Sequence, residues 1–369
     1  MYLKSLHLEF FRNYLALDLK FNPGTTVLVG PNAKGKTNLL EAIFMLAISK
    51  SFRARRQLEV INWDNRDYAR LEALAEIAGE EKKFELVLDN RAKFTKHAKI
   101  DGVKLSLAEF IGNLRAVLFV PEDLNLISGS PALRRRYFDV ALSQLDRKYL
   151  YALLQYDKIL KSRNKLLQSI AEGKSQIGEL AFWNTELAKE AAYIIQKRIQ
   201  TVQAWNKAIS EIYDDFASGQ GFNFEVKYKA CVSLESTKEA AIAKALETRL
   251  TENQERETVL GYTEIGPHRE DYGFYLNGRN LALYGSRGEC RTAVLVLKLQ
   301  ELHYLTEQTG ERPIFLLDDV FSELDKSRRK ALLARISGGQ TIITTTDSGY
   351  FKGMEGDLEV QEMEELDKG

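Results

Sequence analysis

At 369 residues the chain can hold two or three ordinary domains, or one large domain with an insertion. Hydrophobic residues at 44% and charged residues at 28% are the proportions of a water-soluble globular protein, and no run approaches the roughly 18 apolar residues of a membrane helix. Lys plus Arg and Asp plus Glu number 52 each, which excludes a uniformly basic nucleic-acid coat and leaves any DNA contact to local patches. Two cysteines and four scattered histidines exclude a disulfide framework and a four-ligand zinc site. The N-terminus, MYLKSLHLEFF, lacks a charged leader before a long apolar core, so a reducing cytoplasm is the expected compartment.

The first segment alternates with period two, placing Leu6, Leu8 and Phe10 on one face and His7 and Glu9 on the other. Leu15, Leu17, Leu19 and Phe21 repeat the pattern in a second strand. TTVLVG is a short buried strand, followed by a glycine-bearing loop and the apolar helix TNLLEAIFMLA. LEALAEIAG, KKFELVLD and AKIDGV read as further strands. From about Ser130 to Thr258 Pro and Gly become rare, and Leu142, Leu145, Tyr149, Leu153, Tyr156 and Leu160 recur at helical spacing. The stretch reads as a mostly helical insertion; a separate helical domain with its own core fits the same pattern. Gly173, Gly178 and the GQG stretch around Gly221 interrupt it, so one long rod is not expected. Strand texture returns after Thr258: DYGFYLNGRNL alternates around an Asn-Gly hairpin signal. The apolar helix ECRTAVLVLKLQELHYL and the buried strands RPIFLLDD and GQTIITTTD complete the chain.

GPNAKGKT matches GxxxxGK[ST] at every fixed position, between a strand and a helix as the phosphate loop requires. Its residues are Gly30, Pro31, Asn32, Ala33, Lys34, Gly35, Lys36 and Thr37. Gly30 and Gly35 let the backbone curl so that N–H groups face phosphate oxygens. Lys36 adds positive charge there, and the Thr37 hydroxyl ligates Mg²⁺. FLLDDV ends a buried strand in two carboxylates: Asp318 is placed to hold Mg²⁺ and Asp319 to polarise the attacking water. The plain alternative is an acidic pair capping the next helix.

Four further features narrow the ATPase class. SELD, with Ser322 and Asp325, follows the carboxylates where ATP-sandwich ATPases carry a loop facing the partner subunit. YGSRGECRT puts Ser286 and Gly288 at a helix N-terminus, either a second anion site or a simple serine N-cap. FFRNY places Arg12 and Asn13 at a tight turn between two strands, and FVPEDL sits where the core joins its insertion. SGGQ at Ser337 to Gln340 imitates a transporter signature but precedes a strand, so it reads as a turn.

In order along nearly the whole chain, FRNY, GPNAKGKTNLLEAI, SFRARR, FVPEDL, SPALRRRYFD, GPHRED, SRGECRT, LLDDVFSELD and TTTD resemble the RecF family of bacterial recombination-repair ATPases of the ABC/SMC type. The resemblance implies an α/β fold: an ABC-type ATPase head, a phosphate-loop core sheet plus an antiparallel β subdomain, with an inserted mostly helical arm. Residues 1–126 and 259–369 would be the two parts of the head and 127–258 the helical lobe. It further implies an ATP-dependent homodimer with weak, DNA-stimulated ATPase activity that binds gapped or junction DNA. Such a protein helps RecR and RecO place RecA at gaps and supports SOS induction. By position, Ser286, Arg287 and Gly288 would contact ATP bound by the other protomer, while Arg12 and Asn13 would join the nucleotide site. Thr345, Thr346 and Asp347 stand where transporters have a switch histidine, and Glu122 stands where relatives have a glutamine. Glu289 replaces a glutamine of the signature, and Asp319 is one methylene shorter than the usual glutamate, compatible with slow hydrolysis.

For DNA, SFRARRQ offers Arg53, Arg55 and Arg56, with Phe52 placed to pack beneath them. LRRR offers Arg134 and Arg135, and Lys93, Lys96 and Lys99 form a weaker strand-edge set. With no recognition helix or base-stacking motif apparent, structure-selective binding is expected. A transporter ATPase subunit is the alternative; it calls for LSGGQ opening a helix and a histidine after TTTD, and both are absent. A guanine-binding NKxD motif is also absent, and an SMC-like tether would need a far longer arm.

Overall fold

The computed structural model describes residues 1–32, 34–217, 221–351 and 358–363. The chain folds into two compact units. The first comprises residues 1–124, 214–220 and 294–369, the second 125–213 and 221–293.

The first unit contains two sheets. One is wholly parallel, in the order Leu358–Glu362, Thr25–Val29, Thr341–Thr345, Ile314–Asp318, Ala116–Phe119. Parallel strands covered on both faces read as continuous apolar runs, and Phe315, Leu316, Leu317, Ile342 and Ile343 are all fully buried. The second sheet is antiparallel, in the order Tyr14–Lys20, Tyr2–Phe11, Tyr68–Ile77, Glu80–Asp89, Thr95–Ile100, Val103–Leu105. The helix Lys36–Ile48 packs against strands of both sheets. That position explains why it is apolar all round rather than amphipathic.

The first two strands depart from the expected alternation at their joint. Phe11 is buried and Phe10 only partly so, and Leu15 is 55% exposed while Tyr14 is buried. Phe10 and Arg12 both take left-handed backbone (φ 49° and 54°), which turns the chain over at FFRNY. The SGGQ segment is a turn between the helix Lys326–Ile336 and the strand Thr341–Thr345. Its Gln340 is buried and fastens the first strand, accepting from Leu3 N (2.7 Å) and donating to Leu3 O (2.8 Å).

The second unit is built on the helices Pro131–Leu145, Arg147–Ala171, Leu180–Trp205 and Glu239–Glu252, with a small sheet in the order Arg279–Asn280, Asp271–Leu276, Phe224–Lys229. The expected helical run through Leu142 to Leu160 is two helices. Asp146 breaks it, its carboxylate accepting from Tyr149 N (3.0 Å) as the cap of the second. Of the GQG stretch, Gly221 alone falls within the described residues. The Asn277–Gly278 pair turns the hairpin with both residues left-handed (φ 49° and 76°). This unit runs on through Ala293, past the expected boundary at Thr258, because Asp271–Leu276 pairs with Phe224–Lys229.

GPHRED is the polar hub of the second unit. Arg198 is 2% exposed and pairs with Asp139 (2.8 Å) and Glu270 (3.4 Å), and it donates to Pro267 O (2.8 Å). Buried charges persist only when paired and hydrogen-bonded, and these are. Burial pushes the Glu270 carboxyl up to about 7 despite Arg198 beside it. A Cβ on Gly266 would collide with the Tyr156 hydroxyl, at a φ of 136° that only glycine adopts readily.

Candidate functional site

The strand Thr25–Val29 delivers the phosphate loop, and Gly35 caps the helix Lys36–Ile48 with φ 93°. A side chain at Gly35 would collide with Asn13 and Tyr14, whose polar atoms lie 2.5–2.8 Å from its Cβ position. Glycine is therefore required twice, for conformation and for space. Ala33 lies outside the described residues. Gly30 N donates to Thr345 O (3.2 Å), tying the loop to the neighbouring parallel strand.

Lys36 is 7% exposed, and its ammonium donates to the carbonyls of Gly30 (2.5 Å) and Pro31 (2.8 Å). Burial lowers its pKa, against the opposing pull of Asp319 and Asp318. A strand of the same sheet, Ile314–Asp318, ends at Asp318, whose carboxylate accepts from Thr37 Oγ1 (2.8 and 2.9 Å) and Thr344 Oγ1 (2.6 Å). Asp319 takes left-handed backbone (φ 50°), held by its N–H on Thr344 O (3.0 Å). Its Oδ1 is buried without a hydrogen-bond partner. Burial, then the neighbouring Asp318 charge, raises its pKa. A left-handed non-glycine residue with an unsatisfied buried oxygen is the kind of stored cost that accompanies function.

The Thr37 hydroxyl against the Asp318 carboxylate, with the unpartnered Asp319 oxygen one residue on, offers the oxygen ligands that Mg²⁺ takes. Among the described residues no cluster of three or more His, Cys, Asp or Glu could hold a metal alone. A Mg²⁺ ion held there would take its remaining ligands from phosphate oxygens and water, as Mg²⁺ commonly does.

The other expected site residues have the following partners. Arg12 grips Glu41 of the phosphate-loop helix with two bonds (2.9 and 2.7 Å), plus Glu59 O (2.7 Å). Asn13 lies over Gly35 and accepts from the Asn38 amide. Glu41 is wholly buried in the phosphate-loop helix and also pairs with Arg53 (2.9 Å) and Ser51. These donors hold its carboxyl low against burial, which acts the other way. Glu41 stands in the GPNAKGKTNLLEAI stretch but was given no role there; its signal in the sequence is an acid inside the apolar run TNLLEAIFMLA, where every charge must find partners.

Ser286 and Arg287 stand at the start of the helix Arg287–Thr309; Arg287 is exposed, Ser286 and Gly288 are less buried than the helix that follows. Ser286 Oγ accepts from Glu289 N (3.2 Å) and Glu289 accepts from Ser286 N (2.7 Å), a reciprocal capping box. Those bonds account for the glutamate at this position and hold its pKa low. Ser322 donates to Asp319 O (2.7 Å), and Asp325 caps the helix Lys326–Ile336 through Arg328 N (2.9 Å). Thr345 is buried, Asp347 is exposed, and Glu122 lies on the short turn Pro121–Leu124.

Of the arginines expected on DNA, Arg134 needs correction. It is 8% exposed, bidentate to Asp271 (2.7 and 3.1 Å) and bonded to Gly129 O (2.7 Å), so it is structural. Arg135 donates to Glu270 O (2.7 Å). Lys96 is turned inward onto Ser49 O (2.6 Å) and Gln57 (2.8 Å), and burial lowers its pKa to about 8. Lys99 pairs with Glu85 (2.9 Å). Arg53 is spoken for by Glu41 and Asn38, with Phe52 5.9 Å away. Arg55 and Arg56 make no side-chain ion pair among the described residues. Arg134→Ala is expected to lower stability by about 2 kcal/mol in a denaturant titration and to leave the salt dependence of DNA binding unchanged.

A family model described as the RecF/RecN/SMC N terminal domain matches residues 2–367. The chain belongs to the RecF family. It is 39% identical over 359 residues to the DNA replication and repair protein RecF of Thermoanaerobacter pseudethanolicus, covering 96% of each chain. The RecF of Latilactobacillus sakei is 38% identical over 350 residues, 94% of this chain and 92% of that protein. Among solved structures, the recombination mediator protein RecF-ATPrS in the RecFOR pathway superposes with TM-score 0.89 at 35% identity, covering 98% of this chain and 96% of that one. A RecF-ATP structure does so at 0.89 and 36%, covering 97% and 95%. An Smc head bound to the C-terminal winged-helix domain of ScpA, 16% identical at TM-score 0.52 and covering 94% and 90%, shares the fold. The expected α/β head of the ABC/SMC type, with parallel and antiparallel sheets, is thus present, and the family's solved members include ATP-bound forms. No helix among the described residues is long and apolar enough to cross a membrane.

Proposed function

We propose that this chain is a cytoplasmic, ATP-controlled DNA-binding protein of recombinational repair and replication restart. It dimerises on ATP, settles at gaps or single-strand/double-strand junctions, and assists RecR and RecO in loading RecA and inducing the SOS response. The observation that carries the nucleotide half is the convergence of Lys36, Thr37, Asp318 and Asp319 at the ends of two elements. The phosphate-loop amides from Gly30 to Thr37 and the Lys36 ammonium bind the triphosphate, with Asn13 over Gly35 as the lid of the loop. Thr37 and Asp318 would hold Mg²⁺, which supplies charge neutralisation on the phosphates when bound. Asp319 accepts the proton of the attacking water; its raised pKa makes it a better base than an ordinary aspartate. Ser286, Arg287 and Gly288 close on the partner protomer's nucleotide, and the loop of Ser322 and Asp325 meets the partner. Slow, DNA-stimulated hydrolysis then resets the dimer.

DNA phosphates fall to Arg55 and Arg56, with Arg53 contributing from its pairing with Glu41. Replacing Arg55 and Arg56 with Ala should weaken binding uniformly across sequences and reduce the slope of log affinity against log salt by nearly two units. An unchanged slope would place these arginines against a protein partner. The whole reading is tested by titrating duplex, single-stranded and gapped DNA with and without ATP. ATP-independent binding, with no gap or junction preference, would overturn it.

A further inference from the structure

Trp63 is 79% exposed, more than any other aromatic side chain among the described residues. A ring this large is ordinarily shielded, and exposure of such a group marks a contact surface. Its backbone is nonetheless held. Val60 and Ile61 are buried, and Asn62, 4% exposed, donates to Phe10 O (2.8 Å) and Arg12 O (2.7 Å) and accepts from Asp64 N (2.8 Å). The indole is therefore presented by an anchored loop.

Two aromatic–guanidinium pairs stand at this end of the antiparallel sheet. Arg66 lies 5.9 Å from the Trp63 ring and Arg91 6.0 Å from the Tyr68 ring. Asn90 ties their loops together through Arg66 O (3.1 Å) and Asp67 O (2.6 Å). The carboxylates here argue against a phosphate site. Asp89 is taken by Arg91 and Glu9 accepts from the Tyr68 hydroxyl (3.3 Å), but Asp64 and Asp67 would repel a backbone. A nucleobase face carries no net charge and tolerates them. It stacks on an indole with a guanidinium alongside, and only unpaired bases offer a free face.

We propose that Trp63, flanked by Arg66, is a stacking platform for an unpaired nucleobase. It would let the protein tell single-stranded or gapped DNA from continuous duplex. This rests on the DNA-binding reading above. Arg55 and Arg56 lie on the segment leading into the Trp63 loop. Asn62 bonds the platform to the turn that lays Asn13 on Gly35, so base contact and phosphate loop share one structural element.

The test uses the full chain with ATP and Mg²⁺, titrated against a fluorescent duplex and the same duplex with an internal single-stranded gap. Trp63→Ala and Trp63→Gln should lose about tenfold or more in affinity for the gapped DNA and under about twofold for the duplex. The salt slope should not change, because no phosphate contact is removed. Trp63→Phe should keep most of the gap preference. Wild-type affinity of the Ala and Gln variants for gapped DNA would overturn the platform, leave the DNA-binding reading standing, and mark the ring as protein-facing. Equal losses on both DNAs would also overturn it. If the wild type with ATP binds neither DNA, both readings fall.

Discussion

Asp319→Asn is expected to bind ATP like the wild type and to hydrolyse it at least about a hundredfold more slowly, the usual cost of losing a general base. Asparagine is nearly isosteric with aspartate and tolerates the left-handed backbone that residue 319 adopts, so the fold should be kept. What is lost is the carboxylate oxygen, buried and unpartnered, that can take a proton. The sign of the pH dependence follows from the raised pKa. As pH falls, Asp319 protonates earlier than an ordinary aspartate, and the rate should decline through that raised pKa. The variant should lack this acidic limb. Thr37→Ala should behave differently, weakening only the Mg²⁺-dependent part of ATP binding, because it removes a metal ligand rather than a base. Single-turnover hydrolysis beside a nucleotide-binding titration separates the two, and wild-type turnover by Asp319→Asn would remove its catalytic assignment.

Ser286→Asp should abolish ATP-dependent dimerisation while leaving the monomer folded and able to bind ATP. The reasoning is electrostatic. Aspartate caps a helix as well as serine does, so the box with Glu289 N need not cost stability. An added negative charge would face the partner's γ-phosphate. If ATP is held between the phosphate loop of one protomer and the signature of the other, dimerisation and ATP affinity must rise together by linkage. Lys36→Ala should lose both. Mixing the two inactive variants gives heterodimers with one doubly defective site and one intact site, where a native Lys36 meets a native Ser286. Some ATPase activity should return, provided one intact site closes the dimer. Sedimentation of each variant with ATP must accompany the assay, since strict two-site cooperativity would suppress recovery. Dimerisation of Ser286→Asp at the wild-type ATP concentration would refute a shared site for this chain.

The strand–loop–helix around Gly35 and the buried strand ending in Asp318 and Asp319 were legible because each is a local pattern whose residues tolerate few substitutes. Gly35 must be left-handed, Thr37 must carry a hydroxyl, and FLLDD must end a buried strand in charge. The Asn277–Gly278 hairpin was readable for the same reason. Family membership followed from the order of these patterns, which composition could never supply.

What only the tertiary structure decided concerns charges, because an arginine's role depends on what faces it across the fold. Arg12 and Arg134 look alike in sequence to Arg55 and Arg56. The first two are held by Glu41 and Asp271, 29 and 137 residues away, while the other two make no side-chain ion pair among the described residues. Burial converted the GPHRED acids into the hub of a domain and placed the domain's edge at Ala293 rather than Thr258, through strand pairing that no local window contains. Left-handed residues at Phe10 and Arg12 broke an alternation that the side chains alone suggested would continue. Period and motif are properties of neighbours along the chain. Desolvation and pairing are properties of neighbours in space, and for this protein they decide which arginines are taken up in buried ion pairs and which are not.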